Sequence, residues 1–256
     1  MGDPQQQPLP PDHFLAQLGI DFEFDAAGAR GSFEVRPKTF APGTTTIRTA
    51  LLFTIHDVLA GYMSGEAAGP TLDQRFVMTG RPPAAGRMHL EVKPLRVGKR
   101  IMVGEGRFTD DHGVEFARGS ATYMHLEANS RSDFSSPVLM AEASFDELLA
   151  LRPIDERSVA LTPTTRLVNN NPAAAVQGGV QALVAELCAQ HALGGGRLMT
   201  ATDIEARFLS ALRTPPIVAT AETLLVDERG GTCRVVLLDA GERTATYAVV
   251  SMRFLD

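Results

Sequence analysis

Residues 48–57 read RTALLFTIHD, and residues 177–186 read QGGVQALVAE. Each stretch opens with a polar or small triplet, continues apolar, and ends on a carboxylate nine positions after its first residue. Asp57 and Glu186 are therefore equivalent, 129 residues apart in a chain of 256. A displacement of about half the length predicts two copies of one structural unit. The likeness extends outward. RFVMTGRPP at 75–83 matches RFLSALRTPP at 207–216, so Arg75–Phe76 align with Arg207–Phe208 and Pro82–Pro83 with Pro215–Pro216. Gly113 aligns with Gly241 and Met124 with Met252. A short apolar-periodic stretch precedes each copy, at His13–Leu18 and Ser144–Leu149.

Both decapeptides predict buried helices. Residues 49–63 contain one carboxylate, Asp57, and no Lys, Arg or Glu, while 178–192 carry one charge, Glu186. A helix on a solvated surface shows a charged stripe, and neither stretch has one. At 100° per residue Leu51, Ile55, Val58, Leu59 and Tyr62 form the bulky side of the first helix, and Val180, Val184 and Leu187 that of the second. The carboxylates point away from these sides, among small residues: Ala50, Ala60 and Gly61 in one helix, Gly179, Ala182 and Ala189 in the other. A face of small residues predicts close approach by another backbone.

Runs rich in Val, Thr, Leu and Ile, separated by turn residues, predict antiparallel strands after each helix. They fall at 71–78, 86–96, 99–109 and 114–126, then at 199–209, 216–227, 231–239 and 243–255. A further strand is expected before each helix, at 30–37 and 158–168. The fold class is α+β: two antiparallel sheets, each wrapped around a long central helix and joined as a pseudo-dimer. The modules span 13–126 and 143–256, with a polar linker at 127–142.

Bulk composition narrows the function. Net charge is −6 and charged content 21%, with no Lys/Arg cluster interleaved with aromatics, which argues against a nucleic-acid partner. Cys188 and Cys233 lie in apolar runs and read as buried thiols of a reducing compartment. The N-terminus has neither a basic n-region nor an apolar core, so no signal peptide is expected. No apolar run approaches the roughly 18 residues of a membrane span. A cytoplasmic protein is the expectation. No G-x-S-x-G elbow is present, and no His or Cys spacing suits zinc, so neither a serine nucleophile nor a metal is expected.

The second decapeptide and its surroundings resemble the hotdog-fold acyl-CoA thioesterases of the PaaI-like group, in their tandem, double-hotdog form. Asn171, Gln177, Gly178, Gly179 and Glu186 match the group's Asn, Q-G-G helix start and following carboxylate. Ala174 stands where the group has a glycine, and Arg48, Thr49 and Ala50 replace the triplet in the first copy. The resemblance implies hydrolysis of an acyl-CoA thioester, with coenzyme A as part of the substrate and no separate cofactor. It leaves a homo-oligomer of the two-module chain possible.

The chemistry suits these residue types. Unpaired N–H groups at a helix start can polarise a thioester carbonyl and hold the developing oxyanion. A carboxylate can act as general base on water or attack directly. Gly178 and Glu186 are eight residues apart, about 12 Å along a helix, so one helix cannot present both to one carbon. Each site must then combine the helix start of one copy with the carboxylate of the other. Gln177, Gly178 and Gly179 with Asp57 form the fuller set, and Thr49 and Ala50 with Glu186 the poorer one. His56 is placed to tune Asp57, Gln190 to hydrogen-bond Glu186, and Arg213, like the Arg96, Lys99 and Arg100 turn, to meet substrate phosphates. Two other functions remain open: an enoyl-CoA hydratase or dehydratase built on His56–Asp57, and a non-catalytic acyl-CoA-binding module.

Overall fold

The structure, a computed structural model, describes residues 12–63, 69–125, 144–168, 175–194 and 197–255. The first half of the chain supplies strands β1 (Asp21–Asp25) and β2 (Gly28–Glu34), helix α1 (Thr49–Ala60), and strands β3 (Thr71–Met78), β4 (Arg87–Val97), β5 (Ile101–Asp110) and β6 (Glu115–Met124). The second half supplies helix α2 (Phe145–Leu149), strands β7 (Arg152–Pro153) and β8 (Ser158–Leu161), helix α3 (Gly178–Gly194), and strands β9 (Met199–Phe208), β10 (Ile217–Val226), β11 (Gly230–Leu238) and β12 (Thr244–Phe254). The polar stretch read as a linker at 127–142 lies outside the described residues.

The expectation of two separate sheets is corrected. All strands of the described residues join one twelve-stranded antiparallel sheet in the order β1-β2-β4-β5-β6-β3-β9-β12-β11-β10-β8-β7. The halves fuse because β3 and β9 pair edge to edge, from Asp73 opposite Arg207 to Val77 opposite Asp203. Pairing satisfies backbone groups that two isolated edges would leave open. Gln74 sits opposite Ala206, its own counterpart in the repeat, so a local two-fold relation passes through that pair.

Alternation along the strands sets the inner face. In β4, Met88, Leu90 and Val92 are buried while their neighbours turn outward, as a period of two requires. Helices α1 and α3 lie against this inner face and against each other. Every residue of α1 is buried, which accounts for its missing charged stripe. Cys188 and Cys233 are buried free thiols, and burial pushes the Cys188 thiol up to about 12.

Two expected strands are shorter than the sequence suggested. β8 stops at Leu161 and β2 at Glu34, and each is followed by a 3-10 turn, at Thr165–Leu167 and Pro37–Thr39. Pro163 and Pro37 lack the N–H that a continuing ladder needs. The apolar stretches ahead of each half pack together. Phe14 meets Phe145 edge to face at 5.3 Å, and the Phe14 N–H donates to the Arg166 carbonyl at 2.9 Å. Helix α2 opens on a capping box between Ser144 and Glu147.

Candidate active site

Asp57 projects from α1 towards the start of α3 and is 9% exposed. Thr71, at the start of β3, donates its hydroxyl to Asp57 Oδ1 at 2.7 Å. Tyr123, near the end of β6, donates to the same oxygen at 3.0 Å and to the Asp57 carbonyl at 2.7 Å. Both donors therefore meet Oδ1. Oδ2 faces α3, where a Cβ built on Gly178 would lie 3.5 Å from it. Burial raises the Asp57 pKa above its ordinary value, and the bonds from Thr71 and Tyr123 moderate the rise. Burial and then the Asp57 charge push the Tyr123 phenol well above 10.

The start of α3 is built for close approach. The Gln177 carbonyl accepts the Gln181 N–H at 3.1 Å, and its side-chain oxygen accepts the Val180 N–H at 3.0 Å. Gln177 thus caps its own helix. The next two N–H groups, of Gly178 and Gly179, have no acceptor within the helix. Gly179 lets the helices touch: a Cβ there would fall 2.1 Å from Thr54 Oγ1. The segment after β9 borders the same corner, since the Leu212 carbonyl accepts the Val176 N–H at 2.9 Å and Arg213 beside it is exposed. Asn171 lies outside the described residues.

The other helix start is filled from within the chain. Glu186 is 0% exposed, and its Oε2 accepts the Ala50 N–H at 2.7 Å. Arg48, 2% exposed, lies 3.7 Å from Glu186 Oε1. The same guanidinium clamps Asp146 of α2 at 3.1 and 2.5 Å and donates to Gln190 Oε1 at 2.5 Å. Burial raises the Glu186 pKa against the pull of Arg48 and the Ala50 N–H.

Several expectations are corrected here. The Ala50 N–H is already bonded to Glu186. The Thr49 hydroxyl donates into the sheet, to the Ala201 carbonyl at 2.7 Å. Gln190 serves Arg48, not Glu186. His56 does not reach the Asp57 carboxylate: its ring lies against Gly106 and Gly119, facing strands in register. It is wholly buried, which lowers its pKa to about 4 and leaves it neutral. Among the described residues no group of three or more His, Cys, Asp or Glu could hold a metal ion.

Thr71, Tyr123 and Asp146 had not been singled out in the sequence. A usable signal existed for Tyr123. On β6 it follows Gly119 and Ala121 at every second position on the buried face, and it is one of three tyrosines in the chain.

Neither a protein-family model nor a curated protein matches the chain. Solved structures do. The tesB protein of Mycobacterium avium subspecies paratuberculosis superposes with a TM-score of 0.69 at 12% identity, over 94% of this chain and 98% of that one. A hot dog fold protein of unknown function from Alicyclobacillus acidocaldarius gives 0.63 at 9% identity, over 95% and 98%. The acyl-CoA thioesterase II of Mycobacterium marinum gives 0.56 at 12% identity, over 88% and 93%. At such identities the likeness concerns the fold. This chain has the mostly antiparallel sheet and few helices of its hotdog neighbours.

Proposed function

We propose that the protein hydrolyses an acyl-CoA thioester at one composite site, made by Asp57 of the first module and the start of α3 in the second. The observation that motivates this reading is the position of Asp57 Oδ2, 3.5 Å from where a Cβ on Gly178 would lie in the first turn of α3. In this reading the thioester carbonyl oxygen lies against the N–H groups of Gly178 and Gly179, which hold the oxyanion as it forms. Asp57 Oδ2 takes a proton from water as the water oxygen bonds to the carbonyl carbon. The C–S bond then breaks, and the carboxylic acid returns the proton to the leaving thiolate. Direct attack by Oδ2, through a mixed anhydride that water then cleaves, uses the same atoms. Coenzyme A enters and leaves as part of the substrate, and no other cofactor is required. Arg213, and Asn171 ahead of α3, are proposed substrate contacts.

The modules are read as tandem hotdogs at 13–126 and 143–256, similar to the PaaI-like group. Glu186 is read as structural, because its carboxylate already occupies the start of α1. His56, turned into the sheet and neutral, gives no support to an Asp–His hydratase. No helix among the described residues is long and apolar enough to cross a membrane, and a cytoplasmic location is proposed on the sequence alone. Further association of the two-module chain also remains a proposal.

The deciding experiment measures thiol release from short, long and aromatic acyl-CoAs by the native protein and by Asp57→Asn. Release that vanishes in the variant supports the reading. Tight acyl-CoA binding without release would leave a binding module, and hydration of an enoyl-CoA would leave the hydratase.

A further inference from the structure

We infer that Tyr123 is a positioning residue for this site: its phenol fixes the Asp57 carboxylate so that Oδ2, and not Oδ1, is the oxygen that works on substrate. This rests on the proposed role of Asp57 but is tested separately from it.

The Tyr123 hydroxyl shares its one proton between two acceptors of the same residue. Tyr123 reaches both the Asp57 backbone carbonyl, at 2.7 Å, and Oδ1, at 3.0 Å. It therefore ties the side chain back to its own backbone and restrains its rotation. The Thr71 hydroxyl engages Oδ1 as well. With two donors on Oδ1, Oδ2 is the oxygen turned towards Gly178. The ring packs beyond the end of α1, where a Cβ on Gly61 would lie 4.0 Å from it. The phenol keeps its proton through the neutral range, so it acts as a fixed donor and does not relay a proton.

The second module supplies a comparison within the chain. By the register of the sheet, Val250 stands where Tyr123 does: Gln74–Ala121 and Ala206–Ala248 are equivalent pairs, so β12 follows β6 by 127 residues. Val250 is buried and carries no hydroxyl, and Glu186 is held by Ala50 and Arg48 instead. Of the two carboxylates, Asp57 alone has a phenol tied to it among the described residues.

Among the described residues no charged side chain of α1, α3, β3 or β6 acts on Asp57. His56, beside it on α1, is neutral and turned away. A bond to the ionised carboxylate favours ionisation, so deleting the phenol O–H moves Asp57 to a higher pKa.

The test is Tyr123→Phe, which keeps the ring and removes the hydroxyl, with Thr71→Val as the second donor deletion. In active enzyme, kcat falls about 10–100-fold while KM changes less than about twofold, and the acid limb of the pH–rate profile moves to higher pH. Carbon-13 NMR of the aspartate carboxyls, assigned with Asp57→Asn, follows the same titration without substrate, and the Asp57 midpoint rises in Tyr123→Phe. An unmoved midpoint, or a moved midpoint with unchanged kcat and acid limb, overturns the inference. If the native protein releases no thiol from any acyl-CoA, the thioesterase reading fails, and the carboxyl titration alone decides whether Tyr123 sets the state of Asp57.

Discussion

Glu186 Oε2 accepts the Ala50 N–H at 2.7 Å, so the carboxylate of one copy closes the helix start of the other. Asp57 stands in the equivalent place with one methylene fewer, held back on Oδ1 by Thr71 and Tyr123. Among the described residues, the first junction is closed by a carboxylate, while at its counterpart the Asp57 carboxylate is bonded to Thr71 and Tyr123. Asp57→Asn is therefore expected to lower kcat/KM about 10²–10⁴-fold, the usual contribution of a positioned base. Glu186→Gln, whose amide oxygen can still accept the Ala50 N–H, leaves kcat/KM unchanged. Thiol-release kinetics on both variants and on the double variant check this, and a Glu186→Gln protein as impaired as Asp57→Asn would show that both junctions are catalytic.

Arg48 has a different task. It joins the start of α1 to Asp146 of α2 and to Gln190 and Glu186 of α3, binding the two halves through a buried guanidinium. Arg48→Met removes the cation and leaves Glu186 buried with backbone N–H donors but no opposite charge, a loss of about 3–5 kcal/mol. Adding Glu186→Gln removes the stranded charge and returns part of that loss, with a coupling of about 0.5–3 kcal/mol. Urea unfolding of the two single variants and the double variant measures the cycle. Additive losses would mean that Arg48 acts through Asp146 and Gln190 alone.

Much of this arrangement was legible in the sequence. The repeated decapeptides marked both helices, and eight residues between Gly178 and Glu186 required that helix starts and carboxylates be exchanged between copies. Three things were not legible. Fusion of the sheets depends on the register between β3 and β9, and neither strand encodes its partner. The burial of His56 depends on the facing glycines Gly106 and Gly119, 50 and more residues downstream. Arg48 looked like a lost glycine-start residue, because Asp146, the group that holds it, lies 98 residues away. Local pattern placed the elements, while long-range pairing assigned the side chains.

The two glycines at the start of α3 separate function from packing. The nearest described atoms to a methyl on Gly178 would be Asp57 Oδ2 and the Phe208 ring, at 3.5 Å each, an ordinary contact distance. Gly178→Ala therefore folds with native stability, helped slightly by alanine's better helix propensity. Its methyl stands between the helix start and Asp57, so kcat/KM falls. A methyl on Gly179 would overlap Thr54 Oγ1 at 2.1 Å, and α1 and α3 must part. Gly179→Ala is expected to lose about 1–3 kcal/mol of stability. Thermal unfolding and thiol release on the pair check the contrast, and equal stability losses would mean that the helices are less tightly opposed than this geometry requires.

His56 makes acid stability a separate test of the interior. Its pKa is lowered from 6.5 to about 4 by burial, so the unfolded chain binds a proton on this residue before the folded chain does. Above 6.5 the residue is neutral in both states and contributes no pH dependence. As pH falls from 6.5 towards 4, the unfolded state gains the proton alone and stability is lost, by about 3 kcal/mol at most. His56→Leu fills a similar volume between Gly106 and Gly119 and does not titrate. Any repacking penalty in the variant is the same at every pH, so the stability difference between variant and native protein isolates the imidazole. Urea unfolding at pH 7 and at pH 4.5 is expected to show that difference shifting in favour of His56→Leu at the lower pH. A difference that stays constant would mean that the buried ring gains a proton as readily as it does in the unfolded chain.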